Sequence, residues 1–247
     1  MEEEFRNRLK HAQEYEEKHL PLIPAAVLLA YHLTGGIGWI NDPNGFSVYR
    51  GEYHLFFQYY PYDTSWGDMY WGHVKSHDLI HWERLPIALA PDEDYDLDGC
   101  FSGSALETTD GKHLLMYTGA HRLCSKEEGD LFRQTQCVAV GDGVQYTKYT
   151  GNPVIAEEDL PPGSSIHDFR DPKIRWEGGR YLAVVGNRLA DGTGAVLQYR
   201  MMIACCNDGT RPVVFKIERI DIPENDEETE WLAKQNFKNS VEDAYKG

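Results

Sequence analysis

Residues 51–57, GEYHLFF, form a glycine turn that leads into an apolar strand, and the chain repeats this layout twice. It returns as GKHLLMY at residues 111–117 and as GRYLAVV at residues 179–185, so the three glycines lie 60 and 68 residues apart. A repeat of this length, made of short strands and turns, is typical of the four-stranded blades of a β-propeller. The sequence therefore predicts an all-β fold with about three propeller blades.

One polar residue precedes each repeated glycine at nearly the same distance. Asp42 and Ser102 lie nine residues before the first two glycines, and Asp171 lies eight residues before the third. The first strand of each propeller blade lines the central axis, so residues at the starts of those strands converge on one funnel. We therefore expect Asp42 and Asp171 to face each other there.

Aromatic residues close to these positions indicate what the funnel holds. Trp39, Trp66, Trp71 and Phe101 are expected to line it. Aromatic rings stack on sugar rings, and carboxylates stabilise the oxocarbenium charge of a glycosidase transition state. The pattern thus favours a glycosidase-like pocket. The alternative is that Trp66 and Phe101 are ordinary core aromatics, and that Asp42 only caps a strand in an Asp-Pro turn.

The composition is that of a globular domain with a small-molecule ligand. The chain has 247 residues, 41% of them apolar and 12% aromatic, which is enough to build a sizeable core. Its formal net charge of −16 repels phosphate backbones and anionic lipids, so we expect neither nucleic acid nor a membrane as a partner. An uncharged, hydroxyl-rich ligand such as a saccharide suits this charge better.

The N-terminal residues predict a helix, and the whole chain divides into three parts. Residues 1–18 are densely charged with apolar residues at helical spacing, unlike a signal peptide, and the apolar residues 20–33 are interrupted by prolines. We expect a helix and linker at 1–30, a partial propeller at 31–222 and an acidic, helical tail at 223–247. A cytoplasmic location follows, and the five cysteines, without any CxxC pair, are expected to be reduced.

Two metal-like patterns are interpreted as structural. His73, His77 and His81 recur at four-residue steps, but strand and turn signals surround them, so a shared zinc-binding face is not expected. Residues 94–99, DYDLDG, imitate an EF-hand loop whose twelfth position would be Ala105 instead of glutamate. We predict neither a metal nor a cofactor. Because three blades do not close a ring, the unclosed sheet edges offer surfaces for self-association.

The motifs around the polar positions resemble glycoside hydrolase family 32, the invertases, sucrose-6-phosphate hydrolases and fructanases. The resemblance rests on WINDPNG at 39–45, FFQY at 56–59, FSGSA at 101–105 and FRDPK at 169–173, which follow one another in the family's order. It covers residues 31–199. It implies a five-bladed propeller followed by a β-sandwich, of which this chain would hold about three blades.

The resemblance also implies a retaining mechanism on a β-linked fructofuranosyl unit. Asp42 would be the nucleophile, kept ionised by turn amides and Asn41, and Asp171 would bind ring hydroxyls and stabilise the transition state. The neighbouring Arg170 is expected to keep Asp171 charged. The residues expected to shape the fructose subsite are Asn41, Gln58, Trp66, Phe101, Ser102 and Arg170. Gln58 has an alternative role, which is to satisfy backbone groups between strands.

The sequence departs from the family at the general acid. Members carry a glutamate in a Glu-Cys-Pro or similar box about fifty residues after the Arg-Asp-Pro motif, and no such box is present here. Glu224 has a suitable spacing in an unsuitable context.

Two functions are therefore open. One is a β-fructofuranosidase-type hydrolase of sucrose, sucrose 6-phosphate or short fructans, and the other is a truncated, catalytically impaired fructoside-binding remnant. A five-bladed arabinan-active enzyme is disfavoured by the tryptophan-led box.

Overall fold

The computed structural model describes residues 7–29, 32–125, 129, 131–205 and 212–220. An N-terminal helix, α1 (Arg8–His19), buries Ala12 and Glu16 and is followed by two short 3-10 turns at Leu20–Leu22 and Ala25–Val27. The expected helix is thus present over its second half, and residues 1–6 lie outside the described part. Within the described residues, none of the helices is long and apolar enough to cross a membrane.

Three antiparallel four-stranded sheets follow, each in simple up-and-down order. Blade 1 consists of β1 (Trp39–Tyr49), β2 (Glu52–Tyr60), β3 (Tyr70–Ser76) and β4 (Glu83–Leu89). Blade 2 consists of β5 (Gly99–Glu107), β6 (His113–Arg122), β7 (Phe132–Gly141) and β8 (Tyr146–Lys148). Blade 3 consists of β9 (Arg170–Glu177), β10 (Arg180–Arg188), β11 (Gly194–Cys205) and β12 (Pro212–Ile220). The prediction of about three propeller blades is confirmed.

The repeated glycines make the turn between the first and second strand of every blade. Gly51, Gly111 and Gly179 have φ angles of 80°, 76° and 81°, in the left-handed region that a residue with a side chain rarely adopts. Open space surrounds all three, so backbone conformation and not crowding requires glycine. The sequence repeat therefore reflects the same glycine turn in each of the three blades.

The polar position in front of each glycine is a bulge in the first strand of the blade. In blade 1, Asp42 is skipped between the pairs Asn41–Gln58 and Pro43–Phe57, and in blade 2 Ser102 is skipped in the same way. In blade 3 the register slips across Asp171, between Arg170 and Lys173. A bulge bends its strand and redirects a side chain. Each blade therefore turns one polar residue away from the regular strand pattern at the same place.

Two polar clusters join blade 1 to blade 2. Lys148 Nζ donates to Ala90 O at 2.6 Å, to Asp92 Oδ1 at 2.5 Å and to Asp96 Oδ2 at 2.6 Å. Although burial opposes it, the facing carboxylates, Asp96 above all, raise the pKa of Lys148. Asp96 belongs to the EF-hand-like stretch at residues 94–99, and in the structure this aspartate pairs with the ammonium group of Lys148.

The second cluster consists of three buried histidines. His54 and His73 are joined by a 2.9 Å hydrogen bond, and His113 bonds Ser47 Oγ at 2.9 Å and Tyr146 OH at 2.7 Å. Burial lowers the pKa of His54 and His73, and burial assisted by His54 lowers the pKa of His113 to about 3. His73 is thus a core residue, away from His77 and His81, which are each 81% exposed. No group of three or more metal-ligating side chains in the described ranges is arranged to hold an ion.

Candidate active site

A pocket of about 490 Å³ lies where the first strands of the three blades meet. Eight of the ten residues expected at the site line it, together with five others, whereas Trp39 and Trp71 do not. The lining residues are Asn41, Asp42, Gln58, Trp66, Met69, Phe101, Ser102, Phe132, Gln134, His167, Asp168, Arg170 and Asp171. The three bulges thus deliver Asp42, Ser102 and Asp171 into one cavity although 129 positions separate the first from the last.

Asp42 lies at the first bulge with an exposed side chain. The expected donors to its carboxylate are not found there, because no hydrogen bond to that group occurs within the described part of the chain. Asn41 instead uses its Oδ1 to accept a 2.7 Å hydrogen bond from Trp39 Nε1. Trp39 therefore fixes Asn41 and does not line the pocket. The carboxylate oxygens of Asp42 are left open towards a ligand.

Asp171 lies at the third bulge, and the charge of Asp42 affects the pKa of its carboxyl group. Its pKa is raised, mainly by burial and further by the charge of Asp42, while Arg170 opposes the shift. The nearest approach of Arg170 is Nε to Asp171 Oδ2 at 3.9 Å, a weak ion pair. Arg170 thus acts in the expected direction and favours the carboxylate, but burial and the charge of Asp42 together outweigh it in the net shift of the pKa. With 63% of the Asp171 side chain exposed, solvent limits the size of the shift.

Arg170 is shared among several acceptors. Its Nη1 lies 3.4 Å from Asp168 Oδ1 and 3.4 Å from Gln134 Oε1. Asp168 also receives Arg188 Nη2 at 2.6 Å. The guanidinium is consequently held at the pocket wall between Asp168 and Asp171, where it presents donors to a ligand hydroxyl.

Three aromatic rings form one side of the pocket. The ring centroids of Trp66 and Phe101 lie 6.2 Å apart, those of Phe101 and Phe132 lie 5.3 Å apart, and all contacts are edge-on. Trp66 is 42% exposed and offers a surface to a sugar ring. Trp71, which was expected beside them, is fully buried and donates its Nε1 to Cys100 O and Phe101 O. Trp71 is thus an ordinary core aromatic residue, whereas Trp66 and Phe101 line the pocket.

Gln58 and Ser102 provide polar atoms at the pocket floor. Gln58 is 2% exposed and donates Nε2 to Cys100 O at 3.0 Å, so it satisfies the backbone of the next blade while it lines the pocket. Ser102 Oγ is buried and has no hydrogen-bond partner among the described residues. A buried hydroxyl without a partner costs free energy that a ligand hydroxyl can recover.

Five lining residues were missed by the sequence reasoning. His167 and Asp168 directly precede the FRDPK motif at 169–173, so their closeness in sequence to Asp171 is a signal that could have found them. Phe132 and Gln134 come from β7, the third strand of blade 2, and Met69 precedes β3, where no repeat pointed to the axis. None of the lining residues in the described part is a glutamate. Glu224, the weak candidate for the general acid, lies outside the described residues.

Comparison with known proteins agrees with this geometry. Residues 32–203 match the family described as Glycosyl hydrolases family 32 N-terminal domain. A sucrose-6-phosphate hydrolase of Zymomonas mobilis is 40% identical over 201 residues, which are 79% of this chain and 38% of that protein. A raffinose invertase of Escherichia coli is 42% identical over 173 residues, which are 69% of this chain and 34% of that protein.

A solved structure shares the fold. The Bombyx mori GH32 beta-fructofuranosidase, as a mutant in complex with sucrose, superposes with a TM-score of 0.66 at 37% identity, covering 86% of this chain and 42% of that one. The chain thus spans well under half the length of these relatives. Since the family match covers most of the sequence and all three blades lie in the order that the motifs predict, the chain belongs to glycosyl hydrolase family 32.

Proposed function

We propose that this chain carries the nucleophile side of a β-fructofuranosidase-type site that cleaves sucrose, sucrose 6-phosphate or short fructans with retention. The observation that supports it most is the convergence of Asp42, Ser102 and Asp171 from three equivalent bulges on one aromatic-walled pocket. The relatives named above include a sucrose-6-phosphate hydrolase, and a solved one is in complex with sucrose. The pocket is large enough for a furanose ring.

In the proposed reaction a carboxylate oxygen of Asp42 attacks the anomeric carbon of the fructosyl unit. The bond to the leaving-group oxygen breaks with its electron pair on that oxygen, which takes a proton from solvent water. A fructosyl ester of Asp42 remains until a second water molecule hydrolyses it. Asp171 and Arg170 bind ring hydroxyls, and the Asp171 carboxylate stabilises the positive charge that develops on the ring. The open carboxylate of Asp42 and the unpartnered Oγ of Ser102 both suit a sugar in this position.

The second candidate is a fructoside-binding remnant without turnover. One observation favours it: no glutamate occurs among the described residues that line the pocket. Loss of a general acid typically lowers a rate by roughly 10²- to 10⁴-fold. A leaving group that is stable as an anion needs little protonation, so its cleavage is much less sensitive to that loss.

The two candidates are separated by incubating the chain with sucrose and with a fructoside that carries an activated leaving group. The proposed site releases the activated leaving group, and Asp42→Ala abolishes the release. Asp191→Ala, a change in the exposed turn between β10 and β11, serves as the control and keeps the parent rate. Binding of fructose without release from either substrate supports the remnant instead. Turnover that survives in Asp42→Ala removes Asp42 from its role.

The cellular setting belongs to the same proposal. We place the chain in the cytoplasm and expect the open sheet edges of the partial propeller to allow self-association, as the sequence predicts. Cell fractionation and the concentration dependence of the sedimentation coefficient test these two points. Recovery outside the cytoplasm, or a monomer at all concentrations, contradicts them.

A further inference from the structure

We propose that Thr118, with Gln136 behind it, is a positioning residue that sets the backbone of the Asp171 turn from the neighbouring blade. Neither residue lines the pocket, and both lie in blade 2, whereas Asp171 belongs to blade 3. The inference rests on the proposed function of Asp171 as a ligand-binding carboxylate. It adds a second blade to the machinery that orients that carboxylate.

The Asp171 turn needs external support because its backbone is strained. Asp171 has a φ of 61°, in the left-handed region that is costly for a residue with a side chain. Such a conformation costs on the order of 1–3 kcal/mol and persists only where the surroundings impose it. The bulge in β9 also removes the turn from the regular hydrogen-bond ladder. Its backbone groups therefore depend on partners outside the strand pair.

Thr118 supplies the partner for the amide of Asp171. The N–H of Asp171 donates to Thr118 Oγ1 at 3.2 Å, and Thr118 Oγ1 donates its own proton to Gln136 Oε1 at 3.0 Å. Both blade 2 side chains are fully buried. Because the hydroxyl proton is committed to Gln136, the oxygen lone pairs of Thr118 point to Asp171. The direction of the chain of hydrogen bonds is thereby fixed.

Phe169, the residue before Arg170, is held by β7 of blade 2, the strand that contains Gln136. Gln136 Nε2 donates to Phe169 O at 2.7 Å, and Gln134 Oε1 accepts from Phe169 N at 3.0 Å. Gln134 and Gln136 thus replace both backbone partners that a strand would give Phe169. Gln136 joins this clamp to Thr118, so a change at either residue reaches the Asp171 turn.

Ser104 of β5 holds the other end of the turn. Its Oγ donates to Pro172 O at 2.8 Å and accepts from Ile174 N at 2.9 Å. Buried polar groups without partners are strongly unfavourable, so these bonds act together to fix one conformation. Asp171 lies in the middle of this frame, and its side chain reaches the pocket. The frame consequently controls the direction of its carboxylate.

The test compares Thr118→Val with Thr118→Ser and with Thr135→Val. Thr118→Val keeps the shape and removes the hydroxyl, whereas Thr118→Ser keeps the hydroxyl. Thr135→Val makes the same change at another buried threonine of blade 2, whose Oγ1 contacts Cys137 Sγ at 3.9 Å. The two readouts are amide hydrogen exchange at Asp171, followed by NMR, and the rate of release from the activated fructoside.

We expect Thr118→Val to speed exchange at the Asp171 amide by about 10-fold or more and to slow release by about 10- to 100-fold, the usual cost of a small misplacement. Thr118→Ser stays within about threefold of the parent in both readouts, and so does Thr135→Val. Parent-like exchange or parent-like release in Thr118→Val overturns the positioning role. If Thr118→Val does not fold, Gln136→Met takes its place with the same expected and contradicting results.

Failure of the proposed function is distinguishable from failure of this inference. A parent chain that releases nothing from the activated fructoside contradicts the proposed function. The exchange of the Asp171 amide then decides the positioning role alone, because it requires no turnover. Unaltered exchange in Thr118→Val refutes the inference whatever the parent chain does with substrate.

Discussion

Lowering the pH from about 7.5 to about 5 is expected to destabilise the fold through His113. This histidine is fully buried between blades 1 and 2, and its pKa in the folded chain is about 3. In the unfolded chain the imidazole returns to a pKa of about 6.5. Below pH 6.5 the imidazole is therefore protonated in the unfolded state but not in the folded state. The free energy of unfolding consequently falls as the pH falls.

The magnitude follows from the distance between the pH and the unfolded pKa. Each pH unit below 6.5 and above the folded pKa costs about 1.36 kcal/mol, so His113 alone costs about 2 kcal/mol at pH 5. His54 and His73 are also buried with lowered pKa values, and they act in the same direction. A total loss larger than that of His113 alone is thus expected for the parent chain.

Urea unfolding followed by tryptophan fluorescence at the two pH values measures the effect. His113→Asn is less stable at both, but the stability that it loses between them is smaller than that of the parent by about 2 kcal/mol. His11→Asn makes the same substitution at an exposed imidazole of α1, away from the buried histidines, and is the control for the substitution itself. An equal loss in His113→Asn and the parent would refute the burial argument, since His113 would then carry its proton in the folded chain.

Two further predictions concern charges. Asp42→Asn lowers the pKa of Asp171 and Arg170→Gln raises it, because the first removes a neighbouring negative charge and the second a positive one; a carbon-13 NMR titration of the Asp171 carboxyl checks both directions. Lys148→Met lowers the free energy of unfolding at pH 7 by about 3–5 kcal/mol, since it leaves the buried Asp96 without its cation, and urea denaturation measures the loss.

Both charge predictions have clear contradicting results. An unchanged pKa of Asp171 in Asp42→Asn would mean that the two carboxylates do not share a pocket. For the lysine, the control is Lys75→Met, which removes an ion pair with Glu52 whose side chains are 23% and 25% exposed, and which costs about 1 kcal/mol or less. Equal losses in the two lysine variants would show that the cluster around Asp96 contributes no more than a surface pair.

The sequence predicted what repeats along the chain. The positive φ of Gly51, Gly111 and Gly179 leaves a mark at every blade, because only glycine adopts it without strain. The polar positions nine and eight residues earlier share that regularity, so the sequence alone predicts that Asp42 and Asp171 lie in one pocket. A repeated pattern shows which residues occupy equivalent structural positions, and a single motif does not.

The sequence could not predict contacts that depend on the packing of one blade on the next. Trp66 and Trp71 are five positions apart and equally aromatic, yet one is 42% exposed in the pocket and the other fully buried. Their difference arises from where β3 begins. Likewise, Gln134 and Thr118 act on blade 3 across the interface with blade 2. Thr118 occupies the position in blade 2 that Gln58 occupies in blade 1, but the position alone does not show which group the side chain contacts. The sequence indicates the effect of the adjacent Arg170 on Asp171 but not the net rise of the Asp171 pKa, because burial and the charge of Asp42 are both tertiary effects.

The central claim, that Asp42 acts as the nucleophile on a fructosyl group in this pocket, is tested most directly by trapping the fructosyl ester. Without a glutamate in the described pocket lining, the ester should form from an activated fructoside and hydrolyse slowly, so it accumulates. Mass spectrometry of the digested chain is predicted to find one fructosyl group, on the peptide that contains Asp42. An adduct on another residue, or none while fructose binds, would contradict the account.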